Sequence, residues 1–290
     1  MSTQINELTA VGLIPKESPA KVKRGKGGLT IGIPKEQSDE EKRIVLTPEA
    51  VGLLTNNGLN VIVESGAGLA SKFSDQDFSD AGAKVVYSSK EAFQSEVVLK
   101  VDAPSLTEIE SMNQGACLIS ALQIGKQNKE FIEDLNAKKI TSVAFEYLED
   151  KVGGMPVVRA MSEIAGSTVM LIASEYLSSV NDGKGLIMGG VTGVPPTQVV
   201  IIGAGTVAEY AARTALGLGA NIKIFDNHIY KLRRLKQLLG QQVYTSTIDN
   251  LTLTQALAEA DVVIGALRAE KGRNKVVVSE EMVANMMHGS

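Results

Sequence analysis

The chain turns on Thr197 to Ala208, where a run of β-branched residues, Val199-Val200-Ile201-Ile202, opens into Gly203-Ala204-Gly205-Thr206-Val207-Ala208. Such a run is too short for a helix and suits a buried parallel strand entering a phosphate-binding loop. In the G-x-G-x-x-A form Gly203 permits the tight turn, Gly205 lets backbone approach a pyrophosphate, and Ala208 keeps the next helix close to the sheet. Thr206, Val207 and Ala208 open that helix, whose unpaired N–H groups suit phosphate oxygens. The helix, Thr206 to Leu216, ends at Gly217 and Gly219, and a strand, Asn221 to Phe225, stops at Asp226. That is close to the ~20-residue spacing expected of a ribose-binding acid. Asp226 can accept hydrogen bonds from a ribose diol and would repel a 2′-phosphate, so NAD is favoured over NADP. An ordinary βαβ unit with a surface aspartate is the alternative reading of the same stretch.

Other chemistries find less support. The net charge of −4 gives no electrostatic case for nucleic acid or an anionic membrane. Two histidines, His228 and His288, and one cysteine, Cys117, make no metal-ligating cluster, so no metal is expected. Cys117 lies in the apolar run Ala116-Cys117-Leu118-Ile119 and reads as core rather than as a nucleophile. No uninterrupted apolar run reaches the ~18 residues of a spanning helix, and no signal-like segment begins the chain, so a soluble cytoplasmic protein with no membrane segment of its own is expected.

These residues need a frame, and the pattern supplies one of alternating strands and helices. Residues 1–28, with Pro15, Pro19 and a glycine- and lysine-rich run from Lys21, read as a flexible arm, either a solvated extension or a nucleic-acid tail. Strands are expected at Leu29 to Ile33, Asn60 to Glu64, Lys84 to Tyr87, Glu96 to Val101, Ala116 to Leu122 and Thr141 to Tyr147. A helix between the first two, Pro48 to Asn57, has Thr47 as its N-cap and Gly58 just past its end. Residues 29–156 thus form a first α/β domain with a parallel sheet flanked by helices. A long helix, Val157 to Ser179, lies within a connecting segment, 157–184. Residues 185–290 form the nucleotide domain, with further strands at Val243 to Thr245 and Asp261 to Gly265, helices carrying Ile229 to Leu239 and Leu253 to Ala258, and Ser279 capping a last helix. A full dinucleotide fold has six strands where four are read here, so the expected fold is two Rossmann-like domains with the second truncated. A chain incomplete in that way is expected to be unstable or inactive alone.

Four motifs carry a family resemblance: Ile31-Gly32-Ile33-Pro34-Lys35-Glu36, Lys42-Arg43-Ile44-Val45-Leu46-Thr47-Pro48, Met161-Ser162-Glu163-Ile164-Ala165-Gly166, and Gly203-Ala204-Gly205-Thr206. From about Leu29 onward the chain resembles the alanine dehydrogenase and pyridine nucleotide transhydrogenase family, more closely its alanine dehydrogenase branch. The resemblance implies a catalytic domain and an NAD domain on either side of a cleft, and a homo-oligomer, a hexamer in alanine dehydrogenases. It implies that Arg43 holds the carboxylate of pyruvate or alanine, a task suited to a planar guanidinium with paired donors. From the residue alone, Arg43 reads equally as a surface arginine starting a helix. Ser162 and Asp226 would contact NAD, Lys231 would lie near the adenosine, and Met161 would line the substrate side. A further family aspartate that assists catalysis falls beyond Ser290.

Two family positions differ. In Lys100-Val101-Asp102-Ala103-Pro104 the place of a family lysine is held by Asp102, and the family's acid/base histidine is matched by Gln123. Gln123 can hydrogen-bond a carbonyl but cannot relay a proton at neutral pH. Lys100 is the expected substitute. It shares a strand face with Asp102 and could pair with it, and a solvated lysine beside its aspartate is the other reading. The resemblance therefore implies an NAD-dependent oxidative deamination of L-alanine to pyruvate and ammonia. The alternatives are the NAD(H)-binding component of a transhydrogenase, which needs no substrate acid/base, and an NAD-binding protein without turnover.

Overall fold

In the computed structural model, residues 28–267 and 276–290 are described. The expected N-terminal arm therefore lies, but for Gly28, outside the described residues. The chain divides into two compact units, one reaching Leu122 and taking back Gln127–Val143, the other comprising Gln123–Lys126 and Ala144–Ser290.

The first unit is built on β1 (Thr30–Ile33), β2 (Asn60–Glu64), β3 (Lys84–Val86), β4 (Val97–Asp102), β5 (Cys117–Ala121) and β6 (Thr141–Ala144). They form one sheet in the order β3-β2-β1-β4-β5-β6, and the pairs β1–β2, β1–β4, β2–β3 and β4–β5 are parallel. Its helices are α1 (Pro48–Asn56), α2 (Asp75–Asp80), α3 (Ser89–Phe93), α4 (Leu106–Ser111) and α5 (Lys129–Ala137). Side chains cap four of these five starts, α3 being the exception. Thr47 caps α1, Ser74 and Ser105 form capping boxes with Asp77 and Glu108, and Asn128 caps α5. Ile33, Val51, Val61, Val63 and Phe78 close the core between sheet and helices.

The second unit carries α6 (Pro156–Leu177), β7 (Gln198–Ile202), α7 (Thr206–Gly217), β8 (Asn221–Phe225), α8 (Ile229–Leu239), β9 (Tyr244–Ser246), α9 (Asn250–Ala258), β10 (Val262–Gly265) and α10 (Glu280–Ala284). Its sheet runs β10-β7-β8-β9, parallel throughout. Read from the other edge this repeats the first four places of the first sheet, third strand to fourth. In both, the chain reverses direction beside its first strand, and ligand crevices of doubly wound sheets open there, at the carboxyl ends. Met170 and Leu177 of α6 pack with Ala208, Ala211, Ala212 and Ala215 of α7 in one core cluster. Small residues let these two helices approach closely.

The two parallel sheets flanked by helices are the expected fold class. Local ends differ where a cap or a turn overrides the apolar pattern. β6 stops at Ala144 and Phe145–Tyr147 form a 3₁₀ turn instead of extending the strand. α9 begins at Asn250 because the Asp249 carboxylate accepts from the Thr252 N–H at 2.9 Å. The sequence reading found no spanning run, yet α6 is long and apolar enough to cross a membrane by length and composition, with a mean hydropathy of 1.3. Counting uninterrupted residues missed it because Arg159, Glu163 and Glu175 break up the run. Arg159 and Glu163 pair with each other at 3.0 Å on its exposed side.

Candidate functional site

In the second unit, β7 delivers the chain into the glycine loop. Gly203 has φ 120°, and a Cβ there would lie 2.4 Å from the Ala266 carbonyl oxygen, so this turn needs glycine on two counts. Gly205, the N-cap of α7, has no atom within 4 Å of where a Cβ would stand. Thr206 and Val207 are half-buried and Ala208 is fully buried under the sheet. The loop thus presents open backbone at Gly205 and a helix start behind it, which fits the anionic group of a dinucleotide.

Asp226 sits at the end of β8 and is buried, with 3% of its surface exposed, which removes the surface-aspartate reading. Its Oδ2 accepts the Ala204 N–H at 2.8 Å, so the acid braces the glycine loop from the neighbouring strand. Its Oδ1 accepts the His228 N–H at 2.7 Å and lies 3.0 Å from His228 Nδ1. Lys231, in the first turn of α8, is half-buried.

Met161 and Ser162 lie on α6, Met161 exposed and Ser162 half-buried. Gly166 explains much of their motif. A Cβ on it would lie 2.4 Å from the Val207 carbonyl oxygen and 2.8 Å from Tyr210 Cβ, so only glycine lets α6 close onto the helix that follows the glycine loop.

In the first unit the charged residues gather at the carboxyl ends of β1 and β4. Arg43 lies in the segment before α1, ahead of its Thr47 cap, so it does not start that helix. Its Nε donates to Glu41 Oε1 at 2.8 Å, its Nη2 meets Glu41 Oε2, and its backbone N–H donates to Oε1 at 2.9 Å. The Arg43 hydrogen bond holds the Glu41 carboxyl below its ordinary value, and Glu41 in turn raises Arg43, with smaller contributions from Asp102 and Glu36. Asp102 is half-buried at the end of β4.

Lys100 stands elsewhere than expected. It is 1% exposed, its Nζ is 2.6 Å from Glu36 Oε2 and 3.8 Å from Glu108 Oε1, and no pair with Asp102 is present among the described residues. The β4–β5 register shifts between Leu99 and Asp102, which breaks the simple alternation on which that pairing rested. Glu36 also accepts the backbone N–H groups of Val101 at 2.6 Å and Asp102 at 3.4 Å. One buried carboxylate therefore ties the loop after β1 to the end of β4. Lys100 neutralises that carboxylate and is poorly placed to move protons.

Gln123 belongs to the second unit, exposed, with φ 44° and its backbone N–H donating 2.7 Å to Glu146 Oε1. Cys117 is half-buried and burial pushes its thiol up, which suits packing rather than nucleophilic attack.

Glu36, Glu41 and His228 were missed as partners. A signal that Lys100 needs some acidic partner existed, since it follows Val97-Val98-Leu99 and a buried charge is paired, but nothing in it pointed to Glu36. Glu41 and His228 lie two residues from the groups they engage, where pairing depends on loop geometry that composition does not reveal.

Two doubly wound units, one with a guanidinium–carboxylate cluster at its strand ends and the other with a braced glycine loop, make up a two-unit α/β protein with the form of a nucleotide-binding fold. The profile described as alanine dehydrogenase/PNT, N-terminal domain, matches residues 32–165, and its C-terminal counterpart matches residues 169–290. The chain belongs to the alanine dehydrogenase/PNT family and is an alanine dehydrogenase-like oxidoreductase. It is 36% identical to the alanine dehydrogenase of Mycolicibacterium smegmatis over 263 residues, 90% of this chain and 71% of that protein. Among solved structures, an L-alanine dehydrogenase superposes with TM-score 0.84 at 36% identity, covering 90% of this chain and 72% of that one. The transhydrogenase from Sinorhizobium meliloti follows with TM-score 0.76 at 29% identity, covering 90% and 76%.

Proposed function

We propose that the protein is an NAD-dependent dehydrogenase that converts L-alanine to pyruvate and ammonia. Support for the cofactor comes above all from one observation: buried Asp226 holds the Ala204 N–H of a loop whose Gly205 leaves its backbone open. Gly203, Gly205, Thr206, Val207 and Ala208 would hold the pyrophosphate, Asp226 the ribose and Lys231 the adenosine side, and Ser162 would also contact NAD. Residues 29–156 would form the substrate-side domain and 185–290 the NAD domain, joined by 157–184. NAD, when bound, supplies the hydride acceptor.

The chain's own residues would bind, orient and handle protons. Arg43 would clamp the substrate carboxylate, with Glu41 setting its orientation. Met161 would pack on the substrate side. Lys100 would act at one remove, neutralising Glu36 so that the β4 end stays in place. Asp102 is a half-buried carboxylate at the β4 end of this cluster, and we assign to it the proton released from the amino group. Gln123 would hydrogen-bond the carbonyl oxygen without moving a proton. The exposed apolar side chains of α6, Ile164, Leu171 and Ile172 among them, support a homo-oligomer, a hexamer as in the resemblance.

A second reading is favoured by Asp102 and Gln123 together. A transhydrogenase component passes hydride between two nucleotides and needs no substrate acid/base, so it tolerates both residues. The test is NADH formation with a panel of L-amino acids, alongside NADH-to-thio-NADP exchange with a transhydrogenase partner subunit. Turnover of L-alanine is expected. Exchange without alanine turnover would replace the first reading by the second, and NAD binding with neither activity would leave a binding protein.

A further inference from the structure

We propose that His228 determines how tightly the nucleotide's ribose is held, by competing with it for Asp226. This rests on the reading that NAD binds at the glycine loop. A carboxylate offers about four lone-pair sites to hydrogen-bond donors. Asp226 already serves three donors: Ala204 N–H on Oδ2, and on Oδ1 both the His228 N–H at 2.7 Å and the His228 ring through Nδ1 at 3.0 Å. The two backbone donors are fixed by the loop and by the start of α8. The ring donor hangs on a rotatable side chain that is 42% exposed, while the Asp226 side chain is 5% exposed.

A ribose diol brings two hydroxyl donors to a carboxylate that has about one site left. The arithmetic closes only if the imidazole leaves Oδ1. Tyr230 lies edge-on to the ring, with centroids 5.8 Å apart at 76°, so displacement also costs an aromatic contact. His228 is therefore a specificity-determining residue: its ring takes up acceptor capacity on Asp226 that a ribose diol would need, and the nucleotide must dislodge it. A ligand with a phosphate in place of the 2′-hydroxyl brings one donor fewer and gains less from the ring's removal.

Calorimetric titration of the full chain with NAD+, ADP-ribose and NADP+ tests this, using wild type, His228→Ala and His228→Phe at one fixed pH. Loss of one competing hydrogen bond should tighten NAD+ and ADP-ribose by about fivefold in both variants, with NADP+ changed by less. Phenylalanine keeps an aromatic ring for Tyr230 and lacks the donor, so a gain confined to alanine would mean steric cover and would overturn the competition. Unchanged or weaker NAD+ binding in His228→Ala would overturn the role of His228 alone. Failure of the wild-type chain to bind NAD+ would overturn the cofactor reading and this inference with it.

Discussion

Replacing Arg43 by alanine should lower kcat/KM for L-alanine about a hundredfold, roughly 3 kcal/mol, since charged hydrogen bonds to a carboxylate are lost. The loss should appear mainly in KM, and an unchanged KM in steady-state kinetics would remove Arg43 from substrate binding. Lys100→Ala should act on stability instead. Removing one partner of a buried pair leaves Glu36 and Glu108 uncompensated, at a cost of about 3–5 kcal/mol readable as a shift in denaturant midpoint. Glu41 gives a pH signature. Its carboxyl is held below the ordinary value of 4.5 by the Arg43 hydrogen bond, so its contribution is complete above that value and is lost as pH falls through the lower folded one. Glu41→Gln should therefore weaken the acid-side loss of stability, and an unaltered pH–stability curve would count against the pair. At this scale the sequence showed which residue types were present, Arg43, Asp102 and Asp226, but not what they touch. Asp226 as an acid after the second strand was legible from spacing alone. That Lys100 serves Glu36 was not, because the partners are far apart in sequence and meet only when β1 and β4 pair.

Gly203 and Gly166 make the corresponding claims for elements. Gly203→Ala would combine a positive φ with a collision against the Ala266 carbonyl, so NAD affinity should fall below detection by titration while both sheets remain. Gly166→Ala would drive a methyl into the Val207 backbone and part α6 from α7, costing about 1–3 kcal/mol in thermal or denaturant unfolding. If that variant unfolds like wild type, the close approach is not what the Met161-to-Gly166 motif provides. Elements were the most readable level. All ten strands among the described residues were expected near where they stand, because a parallel sheet covered on both faces writes itself as short β-branched runs between helical stretches. The ends were less readable. A cap such as Asp249 extends α9 by a turn that carries little apolar signal, and the β6 terminus yields to a 3₁₀ turn at Phe145.

For the whole molecule, the exposed apolar side of α6 is the feature that a single chain leaves unexplained. Ile164 and Leu171, 58% and 57% exposed, stand two turns apart on that helix. If copies associate through it, Ile164→Asp with Leu171→Asp should lower the mass found by sedimentation, and an unaltered mass would place the contact elsewhere. Lys100, finally, has a use that its ion pairs create. An amine sealed at 1% exposure against two carboxylates is closed to acylating reagents while the first sheet is intact. Its rate of labelling, followed by peptide mass spectrometry, would time each opening of that sheet, a built-in stopwatch among lysines that react at once from the surface.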